Sequence, residues 1–305
     1  MKDAELQGVV VPVITPINKK ENVDETAFRK LLRRLIEAGV HGFLVGGSSG
    51  ESPLLTGKQW RRMAALAVDE VRDQVAVVCG VMDTSTRRVC KKIKFLDELG
   101  CRRFALTPPF YIAAKTAGEH LRHFGAAKEA AGGMEMVAYN IPQCTGSQIS
   151  VDTFCEMTTR GWIRSCKDSS GDWAHLQELI GRGKEVGLTV LNGDEGLNGE
   201  ALLAGARGIV PVCANYDPWT FVRLYEAGSR GDREETSRLM TRAGQLRQTL
   251  VLSGSCWLAG TKYALSAVGI GSGKPVSPLE PAEPPQRTSI DALIQADRAA
   301  GNVLC

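Results

Sequence analysis

Residues 8–47 read GVVVPVITPINKKENVDETAFRKLLRRLIEAGVHGFLVGG, a β-like run, an amphipathic helix and a second β-like run in succession. GVVVPVIT is short, apolar and rich in β-branched residues, as a buried strand is. After Asp24, which has the chemistry of an N-cap, apolar residues fall at Phe28, Leu31, Leu32, Leu35 and Ile36. They form one buried stripe of a helix, and Gly39 supplies its stop. GFLVGG then opens the next strand. Strands joined by a helix in this way run parallel, through a right-handed crossover.

The same rhythm continues along the chain. A helix with Trp60, Met63, Ala64, Ala67, Val68 and Val71 on one face precedes VAVVCGV. A third helix carries Val89, Ile93, Leu96 and Leu99 and ends at Gly100. RRFALTP, a helix over 117–131, EMVAYNIP, a short helix over 151–158, WIRSCKD, a helix after Trp173, LTVLNGDE, a helix over 196–203 and GARGIVPVC follow. Eight such units within about 210 residues predict a (β/α)8 TIM barrel of the α/β class. A doubly wound open sheet is the alternative, but no fingerprint loop for one occurs. GIGSGKP at 269–275 fails the P-loop pattern, because Val268 stands for the leading glycine and Pro275 for the Ser/Thr. Residues 1–215 are therefore assigned to the barrel and 216–305 to a C-terminal helical region packed on it. That region reads as helices over 217–268, with Leu239, Leu246, Leu250 and Leu252 among the apolar positions. A proline-rich extended segment, GSGKPVSPLEPAEPPQ, and a last helix over 289–300 follow.

Composition narrows the function classes. The 305 residues are 43% hydrophobic and 23% charged with a net charge of +3, which offers no clustered basic face for nucleic acid or a membrane surface. Apolar runs such as 8–14 are too short to span a bilayer, and MKDAELQG has no apolar core of a secretory signal. Nine cysteines without a CxxC, and four histidines in no ligand pattern with them, predict reduced thiols in a cytoplasmic protein with no metal site. His120 and His123, at i, i+3 spacing, read as solvated helix residues.

In such barrels the C-terminal ends of the strands face the active site. After strand two comes GGSSGES (46–52), whose backbone N–H groups and Ser48 and Ser49 hydroxyls can cradle a carboxylate, unless it is simply a turn. After strand five comes Tyr139, and IRSCKDSSGDW (163–173) places Lys167 at the end of strand six. Desolvation at a barrel mouth favours a neutral lysine amine, which attacks a carbonyl; the iminium then withdraws electrons so that a bond at the β position breaks or forms. A tyrosine hydroxyl can carry the protons. Together these residues suggest a pyruvate-type Schiff-base site. Ser169 and Ser170 are candidate wall residues or helix N-caps.

GGSSGES, TPPFY, YNIP, KDSSGD and NGDE, in this order and spacing, resemble the dihydrodipicolinate synthase / N-acetylneuraminate lyase family, from residue 8 to the KYALSAVGIGSGKP segment. The resemblance implies a class I aldolase, a homotetramer built as a dimer of dimers, and no metal or dissociable cofactor. It matches Lys167 to the Schiff-base lysine, Tyr139 to the acid/base tyrosine and Ser48 and Ser49, beside Gly47, to the hydroxyl pair that holds the 2-oxo acid carboxylate and relays protons, which makes Ser49 a catalytic candidate. Val210 matches a backbone position lining the site. Three departures limit what carries over. Members that make dihydrodipicolinate have an arginine after YN(V/I)P, where this chain has Cys144; a thiol gives no bidentate clamp on a second carboxylate. Sialic acid lyases carry an aromatic residue before their acidic pair, whereas here Gly193 runs directly into Asp194 and Glu195. These acids bind substrate hydroxyls or cap the following helix. In TPPFY, the tyrosine that reaches into the neighbouring subunit's site corresponds to Phe110 without a gap or to Tyr111 with one inserted proline; dimer packing is the other role open to Tyr111.

The expected activity is cleavage or formation of a 2-oxo-3-deoxy acid from pyruvate and an aldehyde. The alternatives are dihydrodipicolinate synthesis, a Schiff-base sugar-acid dehydratase, and a barrel that binds a 2-oxo acid without turnover.

Overall fold

Eight parallel strands pair in chain order and close into a barrel in the computed structural model, which describes residues 5–302. They are β1 (Gly8–Val13), β2 (Gly42–Val45), β3 (Ala76–Gly80), β4 (Arg103–Leu106), β5 (Glu135–Asn140), β6 (Ile163–Asp168), β7 (Thr189–Asn192) and β8 (Gly208–Ile209). The seam sets Gly8 opposite Gly208 and Val9 opposite Ile209. A Cβ at residue 208 would lie 2.5 Å from the Gly8 carbonyl oxygen, and Gly8 has φ +87°. Glycine is required on both sides of that seam.

Alternation along each strand divides the apolar residues into two clusters. Val9, Val11 and Val13 pack outward beneath the helices, while Val10, Leu44, Val78, Val137 and Leu191 fill the barrel axis. Because both faces are covered, the strands read as continuous hydrophobic runs.

The covering helices are α1 (Glu25–Glu37), α2 (Gly57–Val71), α3 (Thr86–Glu98), α4 (Ala117–Ala130), α6 (Val151–Thr159), α7 (Trp173–Val186) and α8 (Asn198–Leu203), with a single turn α5 (Pro142–Thr145) after β5. Asp24 accepts from the Ala27 N–H at 3.0 Å, and Thr56 and Thr116 close capping boxes with Gln59 and Glu119. Helix α9 (Pro218–Ser229), the first of the C-terminal helices, packs against α8 and β1. Beyond it come α10 (Arg233–Arg247), a π-helical stretch Gln248–Leu252, α11 (Ala259–Ala267) and α12 (Pro284–Ala299). Helix α12 starts five residues earlier than the sequence suggested, because Pro284 and Pro285 occupy its first turn, where no N–H is needed. No helix among the described residues is long and apolar enough to cross a membrane.

The expectation of solvated His120 and His123 is overturned: both are buried on the inner face of α4, beside Phe124 and Ala127. Neighbouring segments satisfy their rings. His120 Nε2 lies 2.7 Å from Ser147 Oγ, and His123 Nδ1 lies 2.8 Å from Thr86 Oγ1. Burial pulls His123 down to about 4, so its ring is neutral at pH 7.

A buried ion pair fastens the C-terminal helices to the barrel rim. Lys262 in α11 donates to Glu51, in the loop after β2, and both side chains are inaccessible. The second Glu51 oxygen accepts from the Val276 N–H at 2.7 Å. Burial holds the Lys262 ammonium below its usual range, against the opposing pull of the Glu51 charge. Removing one partner strands the other charge, so Lys262→Met is expected to cost about 3–5 kcal/mol in urea unfolding. The double variant Glu51→Gln/Lys262→Met should recover part of that loss; no recovery would show that the charge is not the cause.

Candidate active site

Strands β5 and β6 pair with Tyr139 opposite Lys167 and Asn140 opposite Asp168. The two-residue period sends Tyr139 and Lys167 to the barrel interior and Asn140 and Asp168 away from it. Outside, Asn140 Nδ2 donates to Asp168 Oδ1 at 2.6 Å, and Ser170 Oγ donates to Asp168 Oδ2 at 2.7 Å. Inside, Lys167 Nζ lies 3.1 Å from the Tyr139 hydroxyl oxygen and 4.2 Å from the centre of its ring. Lys167 is only 7% exposed. Its stem stands on the apolar plug formed by Leu6, Val10, Leu44, Val78, Ala105 and Val137. Water therefore reaches the amine from the rim side only.

Gly193 makes room for the lysine. A Cβ there would fall 2.4 Å from Lys167 Cε and 2.0 Å from Ser169 Oγ. The Ser169 hydroxyl is buried without a hydrogen-bond partner and lines the same cavity as Lys167. It does not cap α7; Asp172 does, accepting from the His175 N–H at 3.2 Å. Ser170 accepts from the Asp172 N–H at 3.2 Å.

The GGSSGES loop forms a tight turn, with the Gly50 N–H on the Gly47 carbonyl at 3.1 Å and the Glu51 N–H on the Ser48 carbonyl at 3.0 Å. Glu51 takes φ +56°, a left-handed conformation that its buried ion pair and the Val276 contact hold in place. Ser48 and Ser49 line the cavity above Lys167, whereas Gly47 backs onto the Leu44 side chain. The cavity has a volume of about 310 Å³.

The remaining sequence-derived residues divide. Val210 lines the cavity, its N–H bonded to the Asn192 carbonyl at 2.8 Å. Asp194 caps the turn that follows, accepting from the Gly196 N–H at 2.8 Å, yet also borders the cavity. Glu195 is buried and accepts from the Cys213 N–H at 2.7 Å and its thiol at 3.3 Å, which ties the β7 turn to the β8 turn. Burial pushes the Glu195 carboxyl above its usual range. Cys144 borders the cavity beside Ser48 and is exposed as a residue; partial desolvation there raises its thiol, although Ser48 and the Lys167 charge oppose the rise. Tyr111 is not brought to this cavity. It sits at φ +72° and is 93% exposed at the tip of the β4–α4 loop, while Phe110 packs inward on the barrel-axis cluster.

Sequence reasoning missed the wall contributed by the C-terminal helices. Arg247, Val251 and Trp257 all line the cavity. No motif marks them, and a leucine-periodic helix gives no sign of which polar residue at its end turns toward a distant barrel. Among the described residues no group of three His, Cys, Asp or Glu side chains gathers to hold a metal.

Comparison with known proteins places this geometry. Residues 5–297 match the dihydrodipicolinate synthetase family. An uncharacterized DapA-like lyase of Halobacterium salinarum is 32% identical over 289 residues, covering 94% of this chain and 92% of that protein. The 4-hydroxy-tetrahydrodipicolinate synthase of Methanothermobacter thermautotrophicus is 31% identical, covering 88% and 94%. The dihydrodipicolinate synthase structure from Bacteroides thetaiotaomicron superposes with a TM-score of 0.90 at 26% identity, covering 96% and 99%. With the family matched over nearly its whole length and the barrel shared, the chain belongs to the dihydrodipicolinate synthetase family, the pyruvate-dependent class I aldolases, and is a lyase.

Proposed function

We propose that Lys167 forms a Schiff base with pyruvate or the 2-oxo group of a 2-oxo-3-deoxy acid, and that the chain cleaves or forms the C3–C4 bond of such an acid. The observation that carries this reading is the buried Lys167 amine 3.1 Å from the Tyr139 hydroxyl, on an apolar floor and beneath Ser48 and Ser49. The neutral amine attacks the C2 carbonyl. Tyr139, within reach of the same nitrogen, passes protons as the carbinolamine loses water and the iminium forms. Ser48 and Ser49 hold the substrate carboxylate. In the cleavage direction the C4 hydroxyl loses its proton, the C3–C4 electron pair moves into the iminium, and the aldehyde leaves. The enamine left on Lys167 is protonated at C3 and hydrolysed to pyruvate. Ser169, Gly193 and Val210 shape the wall around these steps, while Gly47, set against Leu44, belongs to the turn that carries Ser48 and Ser49.

Condensation with aspartate semialdehyde is the second reading, favoured by the synthase named among the relatives. Cys144 weighs against it, since a thiol offers a second carboxylate no charge-assisted pair. The Tyr111–Ile112 tip, 93% and 81% exposed, supports contact with a second copy of the chain, within the homotetramer that the family resemblance implies. There Tyr111 would complete the proton relay of the neighbouring site. The free cysteines among the described residues suit a reducing, cytoplasmic setting.

Incubation with pyruvate and borohydride should leave a lactyl-sized mass on Lys167; a labelled peptide that excludes Lys167 would sink the assignment. Tyr139→Phe is expected to lower kcat about 10²–10⁴-fold for pyruvate release from a 2-oxo-3-deoxy acid. A wild-type rate in that variant would remove the tyrosine from the proton path. Gly193→Ala should abolish adduct formation while the far-ultraviolet circular dichroism stays unchanged, because the added methyl occupies the space of Lys167 Cε. Normal trapping in that variant would mean the lysine stem has another route to the cavity.

A further inference from the structure

We infer that Cys79 and Cys101 form a reversible redox site on the outer side of the barrel wall, a dithiol that a hydroperoxide closes into a disulfide. The inference stands apart from the aldolase reading, and its test needs no substrate.

The fold brings the two sulfurs together between β3 and β4. Cys79 lies in β3, and Cys101 follows α3 just before β4. Both belong to the outer apolar cluster, on the opposite face of the wall from Val78 and the barrel axis. The strands pair with Cys79 opposite Phe104, and the Val81 N–H meets the Ala105 carbonyl at 3.0 Å. One two-residue step back along this parallel ladder, the Cys79 N–H faces the Arg103 carbonyl. Cys101 Sγ donates to that same carbonyl at 3.2 Å. The Cys101 sulfur therefore sits beside the Cys79 backbone, and the two thiols hydrogen-bond to each other. Gly100, just before Cys101, takes φ +77° with nothing within 4 Å of where a Cβ would stand. That open turn lets Cys101 shift over the short distance a bond requires.

Access divides the roles. Cys101 is 7% exposed and borders two cavities, of about 460 and 890 Å³, at the end of the barrel opposite the mouth. Gln7, Ala76, Glu135 and Ile163, at or near the starts of strands, share their walls. Cys79 borders neither cavity and is 1% exposed. The contact also polarises the pair. The hydrogen bond with the Cys79 thiol holds the Cys101 thiol below its usual range, against burial and with help from backbone N–H groups. The same contact, together with burial, pushes Cys79 well up. A readily ionised thiol on a cavity wall is what a hydroperoxide attacks, and a second thiol beside it resolves the product.

The chemistry balances with one peroxide. The Cys101 thiolate attacks a peroxide oxygen and the O–O bond breaks, which leaves a sulfenic acid on Cys101 and a hydroxide that takes up the thiol proton as water. The Cys79 sulfur then attacks the Cys101 sulfur. The S–S bond forms, the S–O bond breaks, and the hydroxyl departs with the Cys79 proton as a second water. Two thiols are oxidised by two electrons, and the peroxide is reduced by two.

The test uses the full chain, reduced, freed of reductant and treated with hydrogen peroxide until the exposed Cys144 begins to be consumed. Remaining thiols are alkylated in denaturant, and the peptides are mapped without reduction. The expected product is a peptide pair joined through Cys79 and Cys101 and lighter by two hydrogens, with both thiols lost to alkylation and both regained after dithiothreitol. Cys79→Ser should stop at a sulfenic acid on Cys101, which dimedone captures, and Cys101→Ser should leave Cys79 open to alkylation. Should a serine variant fail to fold, the wild-type map decides alone. The proposal is overturned if both thiols remain free when Cys144 has been oxidised, or if Cys101 proceeds to the sulfinic acid with no linked peptide. A bridge from Cys101 to any other cysteine overturns it too, as does a loss that dithiothreitol does not reverse.

Discussion

The ring closes where Gly8 meets Gly208, and every feature of the site depends on that closure. Strand β8 contributes two residues, and the backbones on either side approach too closely for any side chain. An open sheet would leave the ends of β2, β5, β6 and β7 along a line. A closed one brings them round a single mouth, so that Lys167 from β6, Tyr139 from β5 and the Ser48–Ser49 turn after β2 face one small cavity. Catalytic geometry here is a consequence of closure first and of individual contacts second.

Much of the barrel was legible because strands covered on both faces must be apolar, and because helix starts carry their own chemistry. Asp24, Thr56, Ser85 and Thr116 each accept from a backbone N–H of the helix that they precede. Lys167 was legible for a different reason: its short mixed run is the sixth strand, and the C-terminal end of a barrel strand faces the mouth. The pairing of Tyr139 with Lys167 follows from the register, which a two-residue period leaves little freedom to change.

The parts that sequence did not disclose are those fixed by tertiary context. Histidine suits water and the interior equally, so the burial of His120 and His123 depended on hydroxyls and carbonyls from segments that α4 meets only in the fold. The polar run after Lys167 offered several candidate caps, and the chain uses Asp172. Arg247 reaches the cavity through the end of a helix and a π-helical widening, and neither leaves a periodic signature. Glu195 reads from sequence as a ligand or a helix cap; in the fold it borders the cavity while its carboxylate accepts from Cys213, between two turns.

The pair between Glu51 and Lys262 spans 211 positions of the chain. On the ribosome, the strands that carry Tyr139 and Lys167 emerge well before the lysine that neutralises Glu51. Until α11 has been made and has docked, Glu51 lacks its counter-charge, and only the hydrogen bonds of its own turn hold its left-handed backbone. The turn that carries Ser48 and Ser49 is thus encoded early, yet the buried contacts of its Glu51 come from residues made after all eight strands.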